Sequence, residues 1–185
     1  MSDTQEPNPD AGEIAPEVEA PAPEIFGCPY DEYLGQLRLY VPGDRLVEVC
    51  DELRRAGYWQ CIDLCVVDYL THPGRNLPEG IEAERFEIVI NLIDHNGRAP
   101  GNGTGRIRLR VQVPESNPTL PSLFAIWPGV DQMEREAFDL FGINFEGHPG
   151  LTRILLPDDW TGHPLRKDVS LGRIPVQFTA GSTDR

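Results

Sequence analysis

Two Gly-His-Pro turns near the C-terminal end of the sequence carry the residues best suited to chemistry. His148 and His163 each stand between a glycine and a proline, and Asp158 and Asp159 lie between the two turns. Imidazole and carboxylate groups together can bind a metal ion or exchange protons with a substrate. No local ligand pair such as His-x3-His occurs, however, and a histidine before proline in a turn more often bonds a backbone group. We therefore interpret both histidines as structural or interfacial, with a metal-dependent hydrolase as the alternative.

The four cysteines do not form a recognisable cofactor motif. Cys28, Cys50, Cys61 and Cys65 are separated by 22, 11 and 4 positions, which matches neither a CxxC pair nor an iron–sulfur series. A spacing of four in an apolar strand predicts that Cys61 and Cys65 lie on the same face. We interpret all four as small buried side chains in a reducing compartment, with a metal or cluster site as the alternative.

Signatures of other catalytic classes are missing from the sequence. No serine or cysteine nucleophile motif occurs, and no glycine-rich phosphate loop follows a strand. A glycine cluster does occur, but it lies among Arg, Pro and Asn residues and predicts a flexible connection; its members are Gly97, Gly101, Gly103 and Gly105. The sequence therefore favours a structural or binding role over catalysis by this chain alone.

Charge and hydropathy exclude two classes of direct partner. The formal net charge of -14 repels the phosphate backbone of nucleic acids. No stretch reaches the roughly eighteen apolar residues that a membrane-spanning helix needs, and no secretory leader is recognisable. Residues 1–24 hold seven carboxylates, five prolines and no Lys or Arg, so we expect a disordered tail without a required function. The chain by itself is expected to be soluble and to stay where it is made.

The central part of the sequence predicts an α+β domain. Strands are predicted over residues 34–41, 60–70, 85–93 and 106–113 from their alternation of apolar and polar residues. A helix is predicted to start at Asp44 as its N-cap and to stop at Gly57. The expected domain spans residues 25–146. It is a two-layer structure in which a small mixed or antiparallel sheet carries helices on one face.

A second amphipathic helix is bounded clearly by its end signals. Asp131 is predicted to be the N-cap with Glu134 three residues later, and Gly142 is predicted to follow the last turn. Met133, Ala137, Leu140 and Phe141 form the apolar stripe of this helix. Arg135 and Asp139 have the i,i+4 spacing of an ion pair.

Residues 147–185 form the third predicted region, an extended arm without periodicity. Such an arm cannot easily bury its own apolar side chains, and a partner protein is the simplest cover for them. Counted from the end of the second helix, the side chains concerned are those of Phe145, Leu151, Ile154, Leu155, Leu156, Trp160 and Leu165.

Three motifs stand out in this region: EREAFDLFGINFEGHP at 134–149, RIL at 153–155 and GHPLRKD at 162–168. Together they closely resemble the signature of the C subunit, the 30 kDa subunit family, of proton-pumping type I NADH:quinone oxidoreductase, respiratory complex I. Gly150 and Thr152 depart from the commoner Asp and Arg of the pattern, which puts individual polar contacts in question. With the segment LPDDWTGHP, these departures resemble the actinobacterial form.

The resemblance implies a scaffold subunit of the peripheral arm without a catalytic centre, cofactor or metal of its own. FMN, iron–sulfur clusters and quinone would be held by partner subunits, chiefly the large quinone-site subunit and its cluster-bearing neighbours, on the cytoplasmic side of the cell membrane. Related subunits of membrane-bound hydrogenases or deazaflavin-linked complexes are the alternative. The residues expected to form the interface or to fix its structure are Glu134, Arg135, Glu136, Asp139, Gly142, His148, Pro149, Arg153, His163, Pro164, Arg166, Lys167 and Asp168. We expect the opposite charges among them to pair within the subunit or across its interface.

Overall fold

The computed structural model of the protein describes residues 24–97 and 105–169. The predicted tail before residue 24, most of the glycine-rich connection and the arm beyond residue 169 lie outside these ranges. The strands are β1 (Glu24–Ile25), β2 (Cys28–Tyr33), β3 (Gln36–Tyr40), β4 (Gln60–Asp68), β5 (Phe86–Ile93), β6 (Arg106–Val113), β7 (Thr119–Pro121) and β8 (Asn144–Glu146). The α-helices are α1 (Leu46–Ala56) and α2 (Asp131–Phe141).

Six strands form one mixed sheet in the order β1-β2-β3-β6-β5-β4. Neighbouring strands are antiparallel except β3 and β6, which pair in parallel. The two short strands β7 and β8 form a separate parallel pair. The predicted α+β fold class is therefore confirmed.

One face of the six-stranded sheet and both helices share a single apolar core. Ile90 of β5 lies between Leu64 of β4 and Leu109 of β6, and all three are buried. Leu53 of α1 and Ala137 of α2 belong to the same core. Since alternate residues of a strand point to one face, this alternation places the helices on the apolar side of the sheet.

The opposite face of the sheet carries a buried network of charged and polar groups. Arg110 donates two hydrogen bonds of 2.8 Å to the carboxylate of Glu87, which is fully buried. Gln112 donates to the same carboxylate, and Arg110 also donates to the hydroxyl of Tyr40. A buried charge needs such partners to offset its loss of water. These polar side chains therefore stabilise the second face without an apolar layer.

The predicted N-caps of both helices are wrong, whereas the predicted C-terminal glycines are confirmed. Asp44 lies inside a 3-10 turn, Gly43–Arg45, that precedes α1, and Asp131 is the first residue of α2. Neither helix has a side-chain cap, because a preceding 3-10 turn occupies the place where a capping residue would stand. Gly57 and Gly142 adopt left-handed φ values of 116° and 72°, which suit glycine at a helix end.

The predicted common face of Cys61 and Cys65 is also wrong. Cys61 pairs with Leu92, but the next paired residue of β4 is Asp63, opposite Asn91, so one extra residue bulges out of the strand. A bulge reverses the alternation of side chains beyond it. Cys61 is consequently buried, whereas Cys65 is exposed on the polar side of the sheet, so the interpretation of all four cysteines as buried is wrong for Cys65.

Candidate functional site

The second Gly-His-Pro turn lies against the C-terminal end of α2. Nδ1 of His163 is 3.0 Å from the carbonyl oxygen of Asp139, and its ring meets the edge of Phe138 at a centroid distance of 6.5 Å. A carbonyl oxygen only accepts, so Nδ1 of His163 must carry the proton. The backbone N–H of Leu165 donates to the carbonyl oxygen of Leu140. His163 therefore satisfies one of the carbonyl groups near the end of this helix.

The first Gly-His-Pro turn lies against the N-terminal end of the same helix. The side chain of His148 is fully buried and packs against Phe124, with 5.9 Å between the ring centroids. Its Nδ1 accepts a hydrogen bond of 3.0 Å from the N–H of Gly150, which places the proton of the neutral ring on Nε2. Nε2 lies 3.2 Å from a carboxylate oxygen of Asp131 and 4.0 Å from one of Glu134, although neither contact has hydrogen-bond geometry. The ring is thus held next to two carboxylates of α2.

Glu134 is a fully buried carboxylate on the first half of α2. It accepts hydrogen bonds from the hydroxyl of Ser122 at 2.6 Å and from the backbone N–H of Leu123 at 2.7 Å. Burial raises the pKa of Glu134, and these two hydrogen bonds oppose the increase. Glu134 thus connects α2 to the segment after β7 instead of supporting the predicted N-cap at Asp131.

Asp139 is the central anchor of the segment formed by residues 147–169, called here the C-terminal segment. One oxygen of its fully buried carboxylate accepts hydrogen bonds of 2.8 to 3.0 Å from the backbone N–H groups of Ile154, Leu155 and Leu156. The other oxygen pairs with Arg153 at 2.6 Å. Burial alone would raise the pKa of Asp139, but these four donors outweigh it and lower the pKa to about 2. The carboxylate is therefore charged and fully partnered.

The predicted ion pair between Arg135 and Asp139 does not form. Arg135 instead donates to the backbone carbonyls of Thr152 and Arg153 and to the hydroxyl of Thr152, over 3.0 to 3.2 Å. Asp139 is buried on the side of α2 that receives the C-terminal segment, whereas Arg135 reaches that segment from a half-buried position. Thr152, one of the two departures from the family pattern, thus takes part in holding the segment.

Arg166 fixes the chain immediately after the second Gly-His-Pro turn. Its Nε donates to the carbonyl oxygen of Phe141 at 2.6 Å, and its guanidinium lies 5.2 Å from the ring centre of Phe86. A Cβ atom on Gly142 would stand 2.6 Å from the ring of His163 and 2.7 Å from Arg166. Glycine is therefore required at this position for space as well as for its left-handed backbone.

The end of the C-terminal segment is joined to the sheet by a charge cluster around Arg85. This guanidinium is nearly buried and pairs with Asp68 at 3.0 Å, with Asp168 at 2.8 Å and with Glu115. The backbone N–H of Lys167 donates to the carboxylate of Asp68 at 2.8 Å. Burial raises the pKa of Asp68, but hydrogen bonds from Arg85 and from the backbone lower it further than burial raises it. Asp168 thus pairs with Arg85, immediately before β5, and not with a residue of α2.

Known proteins are similar in sequence over the residues that form these contacts. A family model described as "Respiratory-chain NADH dehydrogenase, 30 Kd subunit" matches residues 39–174. The C subunit of NADH-quinone oxidoreductase from Roseiflexus sp. (strain RS-1) is 47% identical over 153 residues, covering 80% of this chain and 78% of that relative. The chain belongs to the 30 kDa subunit family. The family resemblance inferred from the three motifs is thereby confirmed; the actinobacterial affinity stays a prediction.

Two solved structures resemble this member of the 30 kDa subunit family. A trypsin-resistant fragment of Nqo5 is 37% identical with a TM-score of 0.57, and covers 68% of this chain and 90% of the fragment. The membrane-bound sulfane sulfur reductase, an archaeal respiratory membrane complex, is 19% identical with a TM-score of 0.62, and each chain is covered to 78%. The second similarity shows a shared fold alone.

The signature residues of this family member divide into anchors and exposed groups. Arg135, Asp139, Arg153, His163 and Arg166 bind the C-terminal segment to α2, as the preceding contacts show. Other signature side chains face solvent or reach it in part: those of Glu136, Pro149, Pro164 and Lys167. Two large apolar side chains of the segment are also exposed, Leu155 by 63% and Leu165 by 47%. The assignment of the signature positions to an interface stays a prediction.

Sequence reasoning missed several residues that hold the C-terminal segment in place. Arg85 and Asp68 lie 83 and 99 positions from their partners in the segment, so no local spacing indicates the contact. Ser122, which donates to Glu134 and does not contact the C-terminal segment, was also missed, because apolar periodicity predicts that this carboxylate faces solvent. These contacts are long-range and carry no signal in a single sequence.

The two described ranges contain no cluster of three or more His, Cys, Asp or Glu side chains with the geometry of a metal site. Burial raises the pKa of the Cys61 thiol to about 12, and it raises that of the Cys50 thiol still further, so both stay protonated at neutral pH. Neither helix within residues 24–97 and 105–169 is long and apolar enough to cross a bilayer.

Proposed function

We propose that this chain is the scaffold 30 kDa subunit of an NADH:quinone oxidoreductase and carries no redox centre. In this role it joins the peripheral arm on the cytoplasmic side of the membrane and positions the large quinone-site subunit and its cluster-bearing neighbours. FMN, iron–sulfur clusters and quinone belong to those partners, and the coupling of NADH oxidation to quinone reduction and proton translocation belongs to the assembly. Membership of the 30 kDa subunit family is the observation that carries the proposal.

The form of the C-terminal segment supports a docking role. Its backbone is fixed by Asp139, Arg153 and Arg166, whereas Leu155 and Leu165 remain largely exposed. A rigid segment loses little conformational entropy on binding, and exposed apolar side chains gain from burial at an interface. The segment therefore offers a pre-organised apolar surface to a neighbouring subunit.

Affinity purification of the tagged chain from its host tests the proposal. We expect subunits of NADH:quinone oxidoreductase to co-purify. Subunits of a hydrogenase or a deazaflavin-linked complex would contradict it, although the 19% similarity to the sulfane sulfur reductase gives that alternative no support beyond the fold. Recovery of the chain without any oxidoreductase subunit would also refute the proposal.

A matched pair of variants separates docking from folding. Leu155→Ser removes an apolar side chain that is 63% exposed, and Val47→Ser does the same on α1, where the side chain is 38% exposed. Both should fold, because neither side chain contributes a fully buried surface to the core. Only Leu155→Ser should lower the amount of assembled complex on native gels. An equal yield for both variants would exclude the C-terminal segment as the docking surface.

A further inference from the structure

The outer edge of the six-stranded sheet is formed by β4, the last strand in the sheet order. Within the described part of the chain, β4 pairs only with β5. Nine residues at about 3.3 Å each give an edge about 30 Å long, with backbone N–H and C=O groups available on its free side. Such an edge can add a further strand from another protein chain.

The bulge in β4 divides this edge into two parts. It lies between Cys61 and Asp63, and bulges are a common means of keeping an edge from pairing. From Asp63 to Asp68, however, the strand keeps a continuous register with β5. The stretch of residues 63–68 is therefore regular enough to receive a partner strand.

Side chains along the edge indicate the chemistry of that partner. Ile62, Asp63 and Cys65 are exposed, and Val67 is half-buried, so the outward surface is partly apolar. The carboxylates of Asp63 and Glu136 lie close enough to raise the pKa of the Cys65 thiol, after the larger effect of burial. Arg108 opposes them from two strands inward, where it donates to Asn91, and Asn91 in turn donates to the Asp63 carboxylate at 3.3 Å. The free side of the edge is consequently acidic.

Charge argues against a second copy of this chain as the occupant. Pairing of two β4 strands would bring together two edges that each carry the Asp63 carboxylate and have Glu136 nearby. Like charges across an interface disfavour association. An extended strand with a basic residue fits the edge better.

We propose that residues 63–68 of β4 receive an extended strand from a neighbouring subunit, one that carries a lysine or arginine near Asp63. The inference rests on the proposed function, because the donor of the strand is a subunit of the oxidoreductase. It adds a second contact surface to the one offered by the C-terminal segment.

Cys65 provides a native reporter of this edge, since the other three cysteines are buried. The test compares the rate at which N-ethylmaleimide labels Cys65 in the isolated full chain and in the complex purified through that chain. A matched reporter is Glu32→Cys in a Cys65→Ser background, because Glu32 is exposed on β2, four strands away. We expect labelling of Cys65 to be at least about tenfold slower in the complex, since interface cores exclude solvent, and labelling at position 32 to be nearly unchanged.

Each other outcome overturns part of the reasoning. If Cys65 is labelled at the same rate in the isolated chain and in the complex, the inference is refuted while the proposed function stands. The same holds if the complex slows labelling equally at positions 65 and 32, because that result would indicate general burial of the chain. An unreactive Cys65 in the isolated chain would mean that the edge is covered without any partner. Absence of oxidoreductase subunits from the purified material refutes the proposed function and this inference with it.

Reversing the charge gives a second, independent measurement. Asp63→Lys should lower the yield of complex by about tenfold, because it places a like charge against the basic residue of the partner. Glu32→Lys makes the same change in charge at the far side of the sheet and should leave the yield within about twofold. Equal yields from the two variants would contradict the proposed partner chemistry.

Discussion

Replacing Asp139 with asparagine keeps the shape of the side chain and removes its charge. The wild-type carboxylate accepts three backbone N–H groups on one oxygen and Arg153 on the other. The amide of asparagine offers one accepting oxygen and must place its NH2 group against donors. Either Arg153 or the three N–H groups therefore lose their acceptor in the variant.

The pKa of Asp139 gives the size of the effect. Folding lowers this pKa from 3.8 to about 2, and each pKa unit corresponds to about 1.4 kcal/mol. The charge thus contributes about 2 to 3 kcal/mol to the free energy of unfolding at neutral pH, and loss of one partner of a buried ion pair typically costs about 3 to 5 kcal/mol. We expect Asp139→Asn to lower the free energy of unfolding by about 3 kcal/mol.

Urea denaturation of the full chain at neutral pH, followed by circular dichroism, measures this loss. Glu136→Gln is the matched control, because Glu136 is exposed on the same helix and its replacement should change stability by less than about 0.5 kcal/mol. The pKa of Asp139 is lowered by folding, so its contribution is complete above pH 3.8 and is lost as pH falls through about 2. The difference in free energy of unfolding between wild type and Asp139→Asn should therefore become smaller as the pH falls from 3.8 to about 2. A variant as stable as wild type at neutral pH, or a difference that does not change with pH, would refute the reasoning.

Three further predictions concern the same framework. Gly142→Ala should destabilise the chain by about 2 to 3 kcal/mol, because position 142 has a left-handed backbone and the added methyl group would clash with the second Gly-His-Pro turn. Gly129→Ala is the control and should not destabilise the chain, since a Cβ atom there meets no neighbouring atom within 4 Å. Thermal unfolding of both variants tests this prediction. Arg85→Met should lower the free energy of unfolding, measured by urea denaturation, by about 3 to 5 kcal/mol, because it leaves the buried Asp68 carboxylate without its ion-pair partner. Arg55→Met breaks an exposed ion pair and should lower it by less than about 1 kcal/mol. Equal losses in the two variants would contradict the importance of burial. Removal of residues 1–24 should change neither the thermal unfolding temperature nor the recovery of complex, and a large loss of either would show that the acidic tail has a function.

The regular strands of the sheet could be predicted from the sequence, because their side chains alternate. The prediction of β6 over residues 106–113 agrees with the structure at both ends, and that of β5 differs by one residue. Strand β2 was missed, since its sequence CPYDEY contains proline and two carboxylates and shows no apolar alternation. The start predicted at residue 34 falls in the β2–β3 hairpin turn, where Leu34 and Gly35 have positive φ values of 50° and 75°.

The buried carboxylates of α2 show what apolar periodicity cannot predict. The stripe predicted for this helix contained Met133, Ala137, Leu140 and Phe141, yet of these only Ala137 is fully buried. Glu134 and Asp139 are fully buried as well, because backbone N–H groups from other segments partner them. Partners that are distant in sequence decide whether a carboxylate can leave water.

A structural role for the two histidines could be predicted from the sequence, but the groups that they contact could not. Their position before proline indicated turns that bond backbone groups, and His163 does contact the carbonyl oxygen of Asp139. That the two turns hold opposite ends of one helix could not be predicted, since it depends on the path of the chain after residue 146. The Arg153–Asp139 pair confirms the expectation that charges of the segment would meet those of the helix, whereas Asp168 pairs with Arg85 instead.

We propose that the two Gly-His-Pro turns shape the docking surface of this subunit and take no part in electron transfer. The most direct test measures NADH:quinone activity of complexes containing His148→Ala or His163→Ala, normalised to the amount of assembled complex on native gels. Arg166→Ala and Glu136→Ala extend the series to the neighbouring charges. We expect each variant to lower the amount of complex, most mildly for His163→Ala, while turnover per assembled complex stays near that of wild type. Full assembly with abolished turnover in either histidine variant would contradict the structural account and indicate a direct catalytic role.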